Sequence, residues 1–408
     1  MSALPRYDLR SQALHDDAHR IFSSMRERDP VHKGRLLGRD LFFVTRYEDV
    51  ETVLKSPDLF VKDPKNTALG SAGRRALPTP KIVESFMNSM ITSDDPMHRR
   101  LRRLVAKAFT PKTIQALAPS IQAKTDSLCD AMASKETVDV IETIALPLPV
   151  HVITELVGVP AADRRRFQGW VRQVMRNFSP WNMPRIMYGM WCFRRYMARL
   201  ADIKREAPTD DLFTRLVEAE EDGDRLTREE LVAMTFLLLS AGHETTVSLI
   251  ANGTLALLEH PDLWEELRIH PQRIPAAIEE LLRYDGPTLG TEFYYAKEGT
   301  ALCGVEIPAG AAIMPMVLSA NRDPSVFENP DALKLDRDPN PHLAFGMGIH
   351  FCIGAPLARL EAEITFRALT QRFHPPELAG PRERIRYRNM LFLHRLGQLP
   401  LRMKPRSG

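Results

Sequence analysis

One stretch of the chain, residues 345–361, combines a cysteine with glycines, phenylalanines and the start of a helix. Cys352 lies in the loop, and Pro356, which suits the first turn of a helix, opens an apolar helical run just after it. A sulfur placed before a helix faces free backbone N–H groups and the positive end of the helix dipole, and both favour thiolate over thiol. The loop therefore predicts an anionic sulfur ligand.

The other residues of this loop suit a flat and bulky partner. Gly346, Gly348 and Gly354 allow the backbone to pass close to such a group, and Phe345 and Phe351 can keep water away from the sulfur. A haem fits this description. Two plainer interpretations stay open at this point, namely a buried, inert cysteine and a glycine-rich turn or phosphate cradle before a helix.

A second group of reactive residues interrupts a long apolar helix. Thr227 and Glu230 fit a capping box that begins this helix, which is apolar almost all round and therefore predicted to run through the core. Residues 241–246 read Ala-Gly-His-Glu-Thr-Thr, and a glycine in mid-helix costs up to about 1 kcal/mol relative to alanine. An acid beside an alcohol can relay protons into a dry pocket. A helix kink with a capped polar pair is the alternative.

Two charged motifs lie on other predicted helices. His98 and Arg102 are four residues apart and share a face. A neighbouring stripe on the same helix is basic and consists of Arg99, Arg103 and Lys107. Glu280 and Arg283, three residues apart, share a face further along the chain. Alone, each motif is typical of an ordinary solvent-exposed helix.

Together and in this order, the motifs resemble those of the cytochrome P450 family. The cysteine loop matches Phe-x-x-Gly-x-His-x-Cys-x-Gly, and residues 241–245 match Ala-Gly-x-Glu-Thr. The resemblance covers essentially the whole chain, with motifs at 98–102, 241–245, 280–283 and 345–354. It implies a mainly α-helical cytochrome P450 fold in a single domain over residues 1–408, with small β-rich segments near residues 30–46, 288–320 and the C-terminus.

The resemblance also implies a cofactor and roles for particular residues. The cofactor is haem b, with the Cys352 thiolate as the axial ligand of its iron. Thr245 would steady dioxygen, and Glu244 would be its acidic neighbour in proton delivery. Arg337 would join Glu280 and Arg283. The residues implied to bind the cofactor are His98, Arg102, Ala241, Gly242, Tyr294, Phe345, Gly348, His350, Cys352 and Gly354.

The chain departs from the family at Tyr294. Family members usually carry an arginine at this position, where it binds a haem propionate. A tyrosine can donate one hydrogen bond but cannot form a bidentate ion pair. We therefore expect propionate anchoring to depend more heavily on His98, Arg102 and His350.

Residues 170–197 are rich in flexible and amphipathic side chains. They hold five of the 17 methionines of the chain, which are Met175, Met183, Met187, Met190 and Met197, together with Phe178, Trp181 and Trp191. This composition suits either an adaptable apolar surface or plain core packing. The resemblance implies a mobile lid over an apolar substrate.

Composition limits the partners and the compartment. The 408 residues are 44% hydrophobic and 26% charged with a formal charge of +3, which is ordinary for a globular protein and predicts no nucleic-acid partner. The four scattered cysteines include no Cys-x-x-Cys pair, and the first residues lack the apolar core of a signal peptide or membrane anchor. We expect a monomer in the cytoplasm.

The function expected from the resemblance is that of a monooxygenase. It would insert one oxygen atom of dioxygen into an apolar small molecule, such as a terpenoid, steroid, fatty acyl chain or polyketide. Ferredoxin and ferredoxin reductase would supply the electrons, with the stripe of Arg99, Arg103 and Lys107 as docking face. The alternatives are an oxidative coupling or desaturation enzyme of the same family and a non-catalytic haem oxygen sensor. The acid–alcohol pair at 244–245 argues against the sensor.

Overall fold

The computed structural model describes residues 5–36, 39–70, 86, 88–160, 162–174, 181–221 and 223–406. Its helices are α1 (Gln12–Asp16), α2 (Ala18–Arg28), α3 (Tyr47–Lys55), α4 (Met97–Ala108), α5 (Pro111–Gln115), α6 (Ala118–Ala133), α7 (Pro147–Leu156), α8 (Arg164–Val174), α9 (Met183–Glu206), α10 (Leu212–Glu218), α11 (Arg228–Leu258), α12 (Pro261–Ile269), α13 (Ile274–Asp285), α14 (Val317–Ala320) and α15 (Ala355–Arg372). A π-helical turn spans Ile141–Ala145, and a short 3₁₀ turn spans Gly348–His350.

The strands are few and short. They are β1 (Val31–Leu36), β2 (Arg39–Val44), β3 (Phe60–Val61), β4 (Val138–Asp139), β5 (Glu220–Glu221), β6 (Asp224–Arg225), β7 (Tyr294–Ala296), β8 (Thr300–Leu302), β9 (Val305–Ile307), β10 (Ala312–Pro315), β11 (Glu377–Leu378) and β12 (Pro400–Arg402). A five-stranded sheet has the order β1-β2-β10-β7-β3, and a three-stranded sheet has the order β11-β12-β4. The mainly helical class with small sheets is as predicted.

The chain divides into two compact units. One comprises Met1–Arg74, Ile121–Leu148 and Glu244–Gly408, and the other comprises Arg75–Ser120 and Pro149–His243. The five-stranded sheet and the cysteine loop belong to the first unit, whereas α4, α8, α9 and α10 belong to the second. The single domain expected from the resemblance stays a prediction.

Strand β2 shows how the first unit is built around its larger sheet. It is a central strand that pairs with β1 antiparallel and with β10 in parallel. Successive side chains of a strand point to opposite faces, and here Phe42 and Val44 join one buried cluster while Leu41 and Phe43 join another. The apolar run at residues 41–44 therefore reflects burial on both faces of the sheet.

Helix α11 is the longest helix in the described part of the chain. It begins with the predicted capping box, because Thr227 N donates to Glu230 Oε2 (2.8 Å) and Glu230 N donates to Thr227 Oγ1 (3.2 Å). Close packing fixes its second half, since a Cβ on Gly253 would lie 2.7 Å from Phe366 Cζ on α15 and 3.2 Å from Leu281 Cδ1 on α13. None of the described helices combines the length and the apolar character that crossing a bilayer requires.

The second unit has an aromatic core. The ring centroids of Phe86, Phe193 and Phe236 lie 4.9–5.7 Å from one another, in tilted and edge-to-face arrangements. Met190 and Met197 on α9 are buried in the same unit. This placement fits the core-packing alternative for these two methionines. Met175 and Phe178 lie outside the described residues, and the lid stays a prediction.

Candidate active site

The cysteine loop has a backbone that only glycine accommodates at two positions. Gly346 and Gly348 have φ angles of +68° and +69°, a region that residues with a Cβ rarely adopt. A Cβ on Gly348 would also lie 2.4 Å from the Leu54 carbonyl oxygen. Cys352 N donates to Phe345 O (2.9 Å), which closes the loop. Helix α15 then begins at Ala355, as predicted.

The four cysteines, all described, form no disulfide and differ sharply in their surroundings. Cys129 and Cys192 are buried, and burial raises the pKa of the Cys129 thiol to about 12. Cys303 is exposed in the turn between β8 and β9, where Arg46 Nη1 lies 3.3 Å from its sulfur. Cys352 is exposed and directly precedes the long helix α15. Its surroundings are therefore the best suited to present a thiolate.

Arg359 adds positive charge beside this loop. It lies in the second turn of α15, its guanidinium carbon is 4.5 Å from the centre of the Phe345 ring, and its charge interacts with Cys352. Glu279 accepts two hydrogen bonds from it at 2.7 Å. Burial works to raise the pKa of Glu279, but hydrogen bonds from Arg359 and His342 outweigh burial and lower it to about 2. The sequence interpretation missed Arg359, although its spacing of seven residues from the cysteine was a usable signal.

The Glu-x-x-Arg pair forms a buried ionic network, and Arg337 is its third member, as predicted. Arg283 donates to both Glu280 oxygens (2.7 and 2.8 Å), and Arg337 Nε donates to Glu280 Oε2 (3.1 Å). The side chains of Glu280, Arg283 and Arg337 are 1%, 0% and 7% exposed. Lys334 N and Asn340 Nδ2 also donate to this carboxylate (2.9 and 3.3 Å). The pair is therefore not an ordinary surface pair.

A lysine accompanies the tyrosine that replaces the family's arginine. Lys62 Nζ lies 3.6 Å from the centre of the Tyr294 ring, and the rings of Tyr294 and His350 meet edge to face with centres 6.2 Å apart. Lys62 and Tyr294 are both buried. A cation over an aromatic face is a favourable arrangement in a desolvated site. The fold thus brings the positive charge of Lys62, the residue after β3, onto the Tyr294 ring.

The acid–alcohol pair lies on the half of α11 that belongs to the first unit. Glu244 and Thr245 are half-buried, and the helix is continuous through both. Glu244 Oε2 accepts a hydrogen bond from Arg395 Nη1, and the side chains are 13% and 4% exposed. The sequence interpretation did not anticipate this arginine. In the second unit, a Cβ on Gly242 would lie 3.3 Å from Ile153 Cδ1, and Ala241 precedes it on the same helix.

Helix α4 carries the remaining predicted cofactor ligands in the second unit. His98 is buried and its Nδ1 lies 2.7 Å from Met90 O, while Arg102 is half-buried one turn later. The basic stripe is exposed along its length, with Arg99 paired to Asp95 at 2.8 Å. The buried face and the basic face of α4 are therefore separate, as the sequence predicted.

A sequence model of the cytochrome P450 family matches residues 8–274 and 272–396. The chain belongs to the cytochrome P450 family. It is 40% identical over 392 residues to the polyketide biosynthesis cytochrome P450 PksS of Bacillus subtilis, spanning 95% of this chain and 96% of PksS. It is also 40% identical to the cytochrome P450 monooxygenase PikC of Streptomyces venezuelae, over 95% of this chain and 91% of PikC. The solved structure of PksS matches with a TM-score of 0.90 at 39% identity, over 97% and 99% of the two chains.

These matches confirm the P450 fold and the class of chemistry. The chain is a haem-thiolate monooxygenase of the bacterial P450 type. The residues around Cys352 fit a haem, because the sulfur is exposed and directly precedes the first turn of α15. A Cβ on Gly354 would lie 3.7 Å from the sulfur, within ordinary van der Waals contact. The Cys352 sulfur is thus accessible to a haem iron, and it lies just before a helix N-terminus.

Glu361 is a second residue that the sequence interpretation missed. It lies on α15, it is 2% exposed, and its Oε2 has no hydrogen-bond partner among the described residues. Burial raises the pKa of this carboxyl to about 8. The carboxyl therefore holds its proton at neutral pH, unlike the ion-paired carboxylate of Glu279.

We expect Glu361→Gln to flatten the dependence of stability on pH. Between the unfolded pKa near 4.5 and the folded pKa of about 8, the folded P450 keeps a proton that the unfolded chain has lost. The free energy of unfolding therefore decreases as pH rises through this window, by about 1.4 kcal/mol per unit of pKa difference. Thermal unfolding of wild type and variant between pH 5 and 8 measures this. Glu363→Gln, at a half-exposed pair on the same helix, is the matched control; equal slopes in wild type and Glu361→Gln would contradict the prediction.

Proposed function

We propose that this P450 hydroxylates an apolar, polyketide-type small molecule, with Cys352 as the thiolate ligand of its haem iron. The observation that carries the site assignment is the exposed Cys352 sulfur in a glycine loop at the start of α15, with the Arg359 charge beside it. The substrate class rests on PksS, whose name assigns it to polyketide biosynthesis and which is 40% identical over 95% of this chain.

The residues of the chain divide the remaining work. When bound, the haem supplies the iron at which dioxygen is activated. Cys352 would hold the iron, and the Glu280 network would stiffen the segment that precedes the cysteine loop in the chain. Thr245 would donate a hydrogen bond to dioxygen, and Glu244 would move protons toward it. Ala241 and Gly242 leave room for the cofactor and substrate along α11.

We expect Thr245→Ala to separate electron consumption from product formation. Without the hydroxyl, protons reach dioxygen without the control that directs them to oxygen insertion, so reducing equivalents end in hydrogen peroxide. Losing one positioned proton donor typically costs about 10²-fold or more, and we expect product yield per electron to fall by at least about tenfold. The measurement is product and peroxide per NADPH oxidised. Thr246→Ala, at the buried neighbouring threonine, is the control; full coupling in Thr245→Ala would remove this role.

Electrons come from a small acidic ferredoxin through its reductase. The exposed stripe of Arg99, Arg103 and Lys107 on α4 supports this partner, because complementary charge speeds the encounter of redox proteins. His98 and Arg102 lie on another face of the same helix and would bind a haem propionate. The chain acts as a monomer in this scheme.

Lys62 takes over the charge of the missing arginine. It lies on the Tyr294 ring beside His350, and haem carries two propionate carboxylates, so its ammonium and the His350 ring together provide donors for one of them.

We therefore expect Lys62→Met to release haem about tenfold faster, since a hydrogen bond to a charged group contributes about 1.5–3 kcal/mol. Haem transfer to apomyoglobin measures the rate. Lys65→Met, at an exposed lysine three residues on, is the control. Tyr294→Arg in the Lys62→Met background restores the cation and should slow the loss again. Equal rates in Lys62→Met and Lys65→Met would exclude Lys62 from haem binding.

The test of the proposed function is a substrate screen on the purified holoprotein. Macrolides, linear polyketides, steroids and fatty acids are titrated, and the haem spin-state change reports displacement of water from the iron. Binders are then incubated with ferredoxin, its reductase and NADPH, and products are analysed by mass spectrometry. Hydroxylated polyketide supports the proposal. Turnover confined to steroids or fatty acids contradicts the substrate class, and the absence of turnover with every binder contradicts the activity.

A further inference from the structure

A buried arginine of the C-terminal segment pairs with Glu244, the acid of the acid–alcohol pair on α11. Arg395 Nη1 donates to Glu244 Oε2, and the two side chains are 4% and 13% exposed. Among the described residues, Arg395 Nε has no hydrogen-bond partner although it is buried. Two charges removed from water at this depth depend on each other, because losing one leaves the other uncompensated. The pair is therefore strongly coupled and is not an incidental surface contact.

The backbone holds Arg395 in place beside α11. Glu244, Ser248 and Asn252 follow one another at intervals of four residues and so line one face of this helix. Asn252, which is fully buried, donates through Nδ2 to His394 O (2.9 Å), and Ser248 Oγ donates to Glu244 O (3.0 Å). Because His394 is fixed to this face one residue earlier, Arg395 reaches Glu244 two turns back along the helix.

A second set of hydrogen bonds, between backbone groups, holds the segment that carries Arg395. Leu289 N donates to Phe392 O (2.9 Å), and His394 N donates to Pro287 O (2.8 Å). Arg388 N donates to Arg395 O (2.7 Å). The Arg395 guanidinium is therefore held in place by a segment with a well-anchored backbone. The Glu244 side chain can leave the pair by rotating about its own bonds.

We propose that Arg395 is the positioning residue for Glu244, which keeps the carboxylate ionised and oriented until a proton from solvent releases it toward Thr245. The inference rests on the proposed role of Glu244 in proton delivery. A carboxylate that relays a proton binds one from water on one side and gives one up on the other. Arginine stays protonated at any working pH, so it cannot be the source of that proton. Its effect is to set how readily Glu244 takes one up.

Other ionisable groups adjoin the pair. His394, next in the chain, lies 3.0 Å from Asp285 Oδ1, and His19 lies 2.8 Å from the same oxygen. Burial lowers the pKa of His19 to about 4. His243 precedes Glu244 on α11, with its Nδ1 2.7 Å from Leu239 O. Arg395 is the charged group in direct contact with the Glu244 carboxylate from the C-terminal segment.

The test compares four variants as haem-loaded proteins. They are Arg395→Met, Arg395→Lys, Glu244→Gln and the double variant Arg395→Met/Glu244→Gln, with Arg395→Gln as a second neutral replacement should Arg395→Met fail to fold. Arg388→Met, at an exposed arginine of the same segment, is the matched control. Thermal midpoints and the infrared C=O stretch of protonated carboxyls are read on the resting protein, without turnover. Product formed per NADPH oxidised is then followed as a function of pH.

We expect the thermal midpoint to fall by several degrees in each single variant and to recover in the double variant, which buries no charge at this position. At pH 7, Arg395→Met should show a protonated carboxyl band in addition to that of Glu361, and this additional band should be lacking in wild type and in the double variant. The product yield of Arg395→Met should persist to a pH about one unit or more higher than in wild type, because the carboxyl loses an opposite charge, and Arg395→Lys should restore the wild-type profile.

Additive stability losses would overturn the pairing. Coupled losses with an unmoved pH profile would overturn the positioning role. A wild type that lacks the red-shifted ferrous carbon monoxide band would instead refute the proposed function.

Discussion

Replacing Cys352 with serine is expected to abolish the red-shifted ferrous carbon monoxide Soret band and all monooxygenase turnover. A serine hydroxyl keeps its proton at neutral pH, so the variant offers no anionic sulfur and no electron donation to the iron. The structure gives no second cysteine with comparable surroundings. Cys129 and Cys192 are buried, and Cys303 lies in a hairpin turn.

Cys303→Ser is the matched control for this experiment, since it removes the other exposed thiol of the chain. It should keep the red-shifted band and full activity. Absorbance spectra of the dithionite-reduced, carbon monoxide-treated proteins measure both variants. Survival of the band in Cys352→Ser, or its loss in Cys303→Ser, would move the iron ligand away from Cys352 and overturn the site assignment.

Glu280→Ala is expected to have the largest effect on stability. The Glu280 carboxylate is 1% exposed and compensates two buried guanidinium groups, those of Arg283 and Arg337. Removing one partner of a buried ion pair costs about 3–5 kcal/mol, because the other charge is left in a dry surrounding. Arg283 also donates to the carbonyl oxygens of Asn321 and Pro330 (3.1 and 2.8 Å), so a displacement of Arg283 would disturb the segment that leads to the cysteine loop. We expect the variant to retain little haem.

Chemical denaturation and the haem content of the purified protein measure the effect of Glu280→Ala. Glu51→Ala is the control, because Glu51 pairs with Lys55 (2.7 Å) on the exposed side of α3. An exposed pair contributes about 1 kcal/mol or less. A Glu280→Ala protein that is as stable and as haem-loaded as Glu51→Ala would show that the network is dispensable.

Local sequence determined the elements on which the site is built. The capping box at Thr227 and Glu230, the helix after Cys352 and the two faces of α4 depend on neighbours within four residues, and the structure shows all of them. Short-range patterns specify such features because caps, periodic faces and helix-initiating prolines act along a single element. The family resemblance extended this reasoning to Arg337, which lies far from Glu280 in the chain.

Apart from the contact of Arg337 with Glu280, only the tertiary structure decided which charges meet across the chain. Lys62 reaches Tyr294 from β3's end, and Arg395 reaches Glu244 because Asn252 anchors the residue before it. Glu361 has a raised pKa only because the fold buries it without a hydrogen-bond partner for Oε2 in the described structure. Lysine, arginine and glutamate are common residues, and nothing in the sequence marks these three. Their electrostatic properties come from desolvation and from neighbours brought together by folding. The sequence thus determined the family, the thiolate loop and the acid–alcohol pair, whereas the fold determined the electrostatic surroundings in which they act.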